Sequence, residues 1–202
     1  HSPSGRCVDI GGATRASLDA WGMDFDRPYV GSIAAETSGN GGIMRMAPIV
    51  IWNRHSHENA MVDAARQSML THASEESIRY AQAMAAVLWH GQLDGVYGEE
   101  LGHPETFDDR GCPFSGGYVK ESFSASCYAV RNSNSFKDAL IAAVNYGYDA
   151  DSTGAVTGQI AGRIYGARAI PEEWRQVLAW QNKLAEMSTR LWERAPVSLV
   201  AN

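Results

Sequence analysis

The residues best suited to chemistry form a short acidic run in the second half of the chain. Asp149 and Asp151 are separated by one alanine and followed by the hydroxyl of Ser152. Hard divalent cations such as Mg²⁺ and Mn²⁺ prefer oxygen ligands of this kind, with carboxylates, hydroxyls and water sharing the coordination shell. Aspartate and serine are also ordinary helix N-caps, and the positive end of a helix dipole disfavours a cation. The run alone therefore supports a metal site and a helix cap equally, and a metal site needs further acidic ligands.

A glycine-rich segment at residues 38–42 is the second candidate. Its backbone amides would be able to approach and wrap a phosphate. The segment lacks the third glycine of a dinucleotide-binding GxGxxG motif, because Met44 stands there, and no clear strand precedes it. Local sequence alone therefore favours a plain flexible turn over a phosphate site.

The remaining reactive side chains have simpler explanations. His72 precedes a predicted helix, and a single histidine is usually structural or exposed. His55 and His57 are better explained by a surface loop than by a metal site, and Asp108 and Asp109 by a solvated acidic turn. No GxSxG motif occurs, which argues against a serine hydrolase.

Helices are predicted to position these residues. Apolar side chains recur at helical spacing in residues 56–70, 74–91 and 135–145. Ser74 is placed to cap the second of these helices, and residues 98–117, rich in glycine, proline and acidic residues, indicate a long loop. The β-branched residues 49–52 are ambiguous, and we favour a helix because the run is short. The sequence therefore predicts an all-α fold.

Two predictions concern the chain after the acidic run. Glycines recur every fourth residue from Gly154 to Gly166, although an interior glycine costs about 1 kcal/mol relative to alanine. We expect this helix to be central, with a neighbouring backbone lying close to its glycine face. Arg163 and the short length exclude a membrane dimer motif. Pro171 is predicted to open one last long helix. Its expected inward-facing residues are Trp174, Val177, Leu178 and Leu184.

Composition excludes several classes of function. The 202 residues, 45% of them hydrophobic, are enough for one domain, which we expect to span residues 1–202. No apolar run approaches the length of a membrane span. The net charge of −6 argues against binding to a nucleic acid backbone but would not repel a basic protein. Three cysteines without CxxC spacing indicate reduced thiols in a cytoplasmic protein rather than disulfides or a zinc site.

Five segments in order along the chain resemble motifs of the ADP-ribosylglycohydrolases, the family of dinitrogenase reductase-activating glycohydrolase. They are CVDIGGATR at 7–15, SGNGGIMRMAP at 38–48, TH at 71–72, SGGYV at 115–119 and NYGYDADS at 145–152. Each motif is moderately specific, whereas five in the correct order are strongly so. The resemblance implies an all-α fold with a paired Mg²⁺ or Mn²⁺ centre beside an ADP-ribose cleft.

The same resemblance implies roles for individual residues. Asp149, Asp151 and Ser152 would be metal ligands, and the two carboxylates would also stabilise positive charge at the ribose. Asp9 would face the leaving group, where a carboxylate suits a guanidinium. The expected substrate-binding residues are Gly12, Glu36, Ser38, Gly39, Asn40, Gly41, His72 and Tyr118. Within this set the glycine turn would contact diphosphate or ribose, Glu36 would assist on the nucleoside side, and a ring of His72 or Tyr118 would stack on ligand.

The sequence departs from the family pattern at several points. Ser152 replaces a usual threonine, Tyr148 replaces a common glycine, and Gly12 stands where several relatives place a polar residue. The family's N-terminal GDAxG and TDD segments have no counterpart. We therefore expect a truncated, cleaved or incompletely recorded chain, or a second polypeptide that completes the site, and we expect the 202-residue chain alone to be nearly inactive.

Three functional hypotheses follow. The first is a metal-dependent hydrolase that removes ADP-ribose from a protein or small-molecule acceptor, with N-glycosidic ADP-ribosylarginine favoured. The second is a non-catalytic family member that binds ADP-ribose or a partner protein. The third and weakest is a helical protein in which Asp149 only caps a helix.

Overall fold

The computed structural model describes residues 7, 9–24, 26–27 and 29–196. These residues form nine α-helices, joined by short 3₁₀ turns and loops. The helices are α1 (Gly12–Met23), α2 (Ala47–Trp52), α3 (His57–Met69), α4 (Glu75–His90), α5 (Val119–Arg131), α6 (Phe136–Asn145), α7 (Ala150–Tyr165), α8 (Glu172–Val177) and α9 (Gln181–Arg194). Isolated β-bridges, and no strands, occur in the described ranges. The predicted all-α fold class is therefore confirmed.

Local sequence determines where several helices begin. Ser56, Ser74 and Ser135 each accept a hydrogen bond from the backbone N–H three residues later, at the starts of α3, α4 and α6. Helix α4 is C-capped by Gly91, whose φ of 72° lies in the left-handed region that glycine adopts freely. The ambiguous run at residues 49–52 lies in α2, so the helical interpretation was correct.

The core is built around α4, which packs against α3 and α5. Tyr80, Met84 and Leu88 are buried along α4, and Phe123 of α5 meets the Tyr80 ring edge-on with centroids 5.7 Å apart. Helix α7 lies against α5 and α6 and buries Val156. The acidic run therefore lies at the N-terminus of a helix that is packed in the core.

The glycine face of α7 packs against α6, but not in the way that we expected. A Cβ added at Gly154 would lie 3.2 Å from Val144 Cγ1, and one at Gly158 would lie 3.9 Å from Leu140 Cδ1. The neighbouring atoms are side-chain carbons rather than backbone, because α6 inserts its own apolar side chains toward the glycines. The expected backbone approach is therefore wrong, whereas the predicted central position of α7 is correct.

The predicted last long helix is also wrong. The chain breaks after α8, with extended backbone at Leu178 and a left-handed conformation at Trp180 (φ 62°), before α9 begins. Val177 is 83% exposed, and Leu178 and Leu184 are also exposed, so these side chains do not face the core. Pro171 occupies the N-cap of α8.

The long loop predicted at residues 98–117 is present apart from a 3₁₀ turn at Glu99–Gly102. Asp108 departs from the expected solvated turn, because Arg110 and the backbone N–H of Cys112 both donate to its carboxylate. The three cysteines are free thiols. Within the described ranges, no helix has both the length and the apolar character needed to cross a membrane.

Candidate functional site

Asp149 lies at the N-cap position of α7, but its carboxylate does not cap the helix. Its backbone carbonyl accepts from Thr153 N–H, while its Oδ2 accepts a 2.7 Å hydrogen bond from Asn40 Nδ2. The carboxylate is thus aimed at the glycine turn, 109 residues away in the chain. The helix-cap explanation of Asp149 therefore does not account for its side chain.

Asp151 and Ser152 complete the acidic run in the first turn of α7. Asp151 is exposed and Ser152 is mostly buried, and no hydrogen bond from either side chain to another described residue is present. Together with Asp149 they offer hard oxygen donors that suit Mg²⁺ or Mn²⁺. No group of three or more histidine, cysteine or acidic side chains in the described part of the chain converges as a metal shell. The described residues therefore offer hard oxygen donors near one another in the chain but no assembled metal shell.

The glycine turn is fixed to the start of α5 by backbone hydrogen bonds. Asn40 N–H donates to Gly117 C=O over 3.0 Å, and Val119 N–H donates to Ser38 C=O over 2.9 Å. The Asn40 side chain, which is also buried, donates a second hydrogen bond to Ser122 Oγ. The turn is therefore an ordered element rather than the plain flexible turn that local sequence favoured.

His72 lies beneath this turn. The residue is 4% exposed, and a Cβ added at Gly41 would lie only 2.6 Å from its Cε1 atom. Thr71 Oγ1 contacts the ring Nδ1 at 2.7 Å. The glycines are thus required by the close approach of an imidazole. The ring therefore supports the turn from below, and His72 lines neither of the two cavities on either side of residues 32–36.

Two features keep His72 neutral. Burial, and then the nearby positive charge of Arg45, lower its pKa to about 4. Arg45 itself ties the turn to α3, because its guanidinium donates to Gly41 C=O and Thr71 Oγ1 and also to the side chain of Gln67. Arg45 and Gln67 were not singled out from the sequence, although Arg45 lies inside the second motif.

Tyr118 stands at the start of α5, where it forms an isolated bridge with Gly39. Its hydroxyl donates to the Glu76 carboxylate at 2.7 Å. That hydrogen bond, with partial burial and the charge of Glu76, raises the pKa of Tyr118 to about 12. Tyr118 is 39% exposed, so part of the residue remains accessible.

A cavity of about 570 Å³ connects further predicted residues. Gly12 at the start of α1, Glu36 and Gly39 line it together, and we call it the Glu36 cavity. Asp9 does not line it. Its exposed carboxylate accepts from Ile10 N–H over 2.7 Å. The structure thus brings Gly12 and Glu36 to one side of the glycine turn and Asp149 to the turn itself.

Tyr148 directly precedes the acidic run and has an unusual backbone conformation. It adopts a left-handed φ of 56°, which is unfavourable for a residue with a side chain, and its ring packs on Phe114 with centroids 5.2 Å apart. The ring is exposed and stands next to Asp149.

Comparison with known proteins identifies the family to which the chain is similar. The family described as ADP-ribosylglycohydrolase matches residues 1–198. An ADP-ribosylarginine hydrolase Tri1 of Pseudomonas putida (strain GB-1) is 36% identical over 97% of this chain and 57% of its own length. An ADP-ribosyl-[dinitrogen reductase] glycohydrolase of Rhodospirillum rubrum is 38% identical over 84% of this chain and 60% of its own.

A solved structure with a similar fold is titled an ADP-ribosylglycohydrolase-related protein complex. It superposes with a TM-score of 0.79 at 25% identity, covering 92% of this chain and 70% of its own. The chain therefore spans less than two thirds of the length of these two curated relatives.

Proposed function

Because the chain belongs to the ADP-ribosylglycohydrolase family, we propose that it carries part of a site that hydrolyses the bond between ADP-ribose and an acceptor. N-glycosidic ADP-ribosylarginine is the proposed substrate, supported by relatives named ADP-ribosylarginine hydrolase. The observation that carries the proposal is the hydrogen bond from Asn40 to Asp149. It joins the glycine turn, suited to phosphate or ribose, to an acidic run suited to a metal.

The proposed cofactor is Mg²⁺ or Mn²⁺, held on this chain by Asp149, Asp151 and Ser152. When bound, such a cation supplies a Lewis acid that orients water and lowers its pKa. Asn40 holds the Asp149 carboxylate in place, because its amide occupies Oδ2 and leaves Oδ1 without a protein partner in the described residues. The chain thus prepares a hard-oxygen donor set before any cation arrives.

The chain's own residues also suit the reacting bond. Cleavage at ribose C1 develops oxocarbenium-like charge, which the carboxylates of Asp149 and Asp151 would stabilise. Asp9, whose exposed carboxylate lies outside the lining of the Glu36 cavity, is proposed to receive the leaving guanidinium through paired hydrogen bonds. The glycine turn, with Gly12 and Glu36 beside it, would hold the ADP-ribose, supported by His72 below and Tyr118 alongside.

Binding and hydrolysis are tested in sequence. We expect calorimetry to show tighter ADP-ribose binding with Mg²⁺ or Mn²⁺ than with a chelator, and Asp149→Asn to weaken that binding at least about tenfold. Asp109→Asn, which neutralises an exposed aspartate in the loop, is the matched control. Release of ADP-ribose from ADP-ribosylarginine is then followed by chromatography. Equal affinity of Asp149→Asn and the parent chain would refute the site.

A second candidate function is a non-catalytic ADP-ribose-binding or partner-binding protein. One observation favours it, namely that the described residues contain no third acidic or histidine ligand beside Asp149 and Asp151. This reading predicts ADP-ribose binding without release from any acceptor, so the hydrolysis assay separates the two. We place either function in the cytoplasm, since the cysteines are free thiols and Cys127 is buried.

A further inference from the structure

A second cavity, of about 520 Å³, shares a wall with the Glu36 cavity. Ser32 and Glu36 line the first cavity, whereas Ile33 and Ala35 of the same segment line the second. The remaining walls come from the start of α4, the Glu99–Gly102 turn and the start of α5. We call it the Glu75 cavity. It adjoins the proposed ADP-ribose site but is not part of it.

Carboxylates dominate the walls of the Glu75 cavity. They belong to Glu75, Glu76, Glu100 and Glu105. Two of the four are neutralised, because Glu100 pairs with Arg79 at 2.9 Å and Glu105 pairs with Lys120 at 2.6 Å. The other two, in the first turn of α4, form no ion pair with a described residue. The cavity therefore retains uncompensated negative charge.

Tyr80 gives the cavity a second and independent feature. The residue is 97% buried, at 3% exposure, and its ring packs against Phe123 in the core while it also lines the cavity. Its hydroxyl makes no hydrogen bond to any residue that the structure describes. Burial, with the charge of Glu76, raises its pKa, so the phenol stays neutral. The hydroxyl oxygen is open to the cavity, so it can accept a hydrogen bond from a donor on a ligand.

We propose that the Glu75 cavity binds a guanidinium or ammonium side chain of the basic polypeptide that carries the ADP-ribose. The planar donors of a guanidinium match this combination of two carboxylates and one phenol oxygen, and its aliphatic stem can lie on the exposed side chain of Ile33. The position also fits, because Glu76 holds Tyr118, which bridges to Gly39 in the glycine turn.

The identity of the partner as an ADP-ribose acceptor rests on the proposed function, whereas the cation site itself does not. The test therefore measures binding of a fluorescein-labelled, arginine-containing peptide without ADP-ribose, by fluorescence anisotropy at low ionic strength. The same peptide with citrulline in place of arginine keeps the shape and removes the charge. We expect the citrulline peptide to bind at least about tenfold more weakly, as expected for charge-assisted hydrogen bonds.

Matched variants distinguish the effect of a carboxylate in the cavity from the effect of net negative charge on the protein. Glu75→Gln and Glu58→Gln both remove an exposed carboxylate from the first turn of neighbouring helices, but Glu58 does not line the cavity. We expect about two- to fivefold weaker peptide binding for Glu75→Gln and no change for Glu58→Gln. Tyr80→Phe keeps the ring in the core and removes only the hydroxyl, and we expect it to weaken binding about threefold or more.

Equal losses in Glu75→Gln and Glu58→Gln would overturn the proposal, since the peptide would then be responding to net charge alone. Unchanged binding by Tyr80→Phe, with an unchanged melting temperature, would also overturn it. Failure of the proposed function is distinguishable, because it would abolish ADP-ribose binding and its dependence on Asp149 while leaving peptide binding and the effect of Glu75→Gln intact.

Discussion

Asn40 holds the Asp149 carboxylate with a neutral amide, so a negative charge at position 40 should destabilise the folded chain. Its amide lies 2.7 Å from Asp149 Oδ2 and 2.8 Å from Ser122 Oγ. In Asn40→Asp, two carboxylates would face each other and the free energy of unfolding at pH 7 should fall by about 2–3 kcal/mol. Part of that loss should return near pH 4, where the pair shares a proton. Urea unfolding at both pH values tests this, with exposed Asn59→Asp as control. A loss independent of pH would contradict the mechanism.

His72 should make stability depend on pH. Its folded pKa of about 4 lies below the ordinary histidine value of 6.5, because the buried ring loses hydration and lies next to Arg45. The unfolded chain therefore binds a proton between these values that the folded chain does not. The stabilisation is complete above about pH 6.5 and falls by about 3 kcal/mol as pH drops toward 4. Denaturant unfolding at several pH values across this range gives the free energy of unfolding as a function of pH. That free energy should depend less steeply on pH in His72→Asn than in the parent chain, whereas exposed His55→Gln should leave the pH dependence unaltered.

At the scale of elements, the contact between α6 and α7 leaves room for methyl groups. An added Cβ at Gly158 or Gly162 would meet a side-chain carbon of α6 at 3.9 Å, an ordinary contact distance. Gly158→Ala and Gly162→Ala should therefore raise the free energy of unfolding by about 0.5–1 kcal/mol through helix propensity. Gly154→Ala should gain less, because Val144 would be 3.2 Å away. Thermal melts rank the three, and destabilisation by Gly158→Ala would show that the contact is tighter than observed.

Local signals explain which elements were predictable. Periodic apolar residues identified α3, α4 and α6, and Ser74 was predicted as the cap of α4, because those features act within a few residues of the chain. The break between α8 and α9 carries no such signal, since no glycine or proline stands at residues 178–180 and Trp180 adopts its left-handed conformation without one. Apolar periodicity continued past the break and gave a wrong long helix.

Long-range contacts explain what the sequence left undetermined at the site. The residues of the turn and the acidic run were predicted from motifs, but the hydrogen bond between Asn40 and Asp149 spans 109 positions. The sequence placed Tyr80 only within a predicted helix. It did not indicate that the hydroxyl faces a cavity, because the other walls of that cavity come from residues 33–35 and 99–105. Distances between residues far apart in the chain are set by the fold, so the local sequence does not predict them.

Over the whole molecule, burial is distributed unevenly, and local stability should follow it. Helix α4 buries nine of its 16 residues, whereas none of the 14 residues of α9 is buried. Helix α9 packs chiefly on α2, where the Arg54 guanidinium lies 4.6 Å from the centre of the Trp192 ring. A helix with little buried area opens without unfolding the core.

Hydrogen–deuterium exchange with peptide-level mass spectrometry should therefore show two classes of amides. Those of α4, α5 and α7 should exchange only through global unfolding, while those of α9 exchange at least about a hundredfold faster, a difference of about 3 kcal/mol. Trp192→Ala removes the contact with Arg54 and should speed exchange in α9 further, leaving α4 unchanged. Protection in α9 equal to that in α4 would mean that α9 is part of the cooperative core despite its exposure, and that the stability of the molecule does not follow its burial.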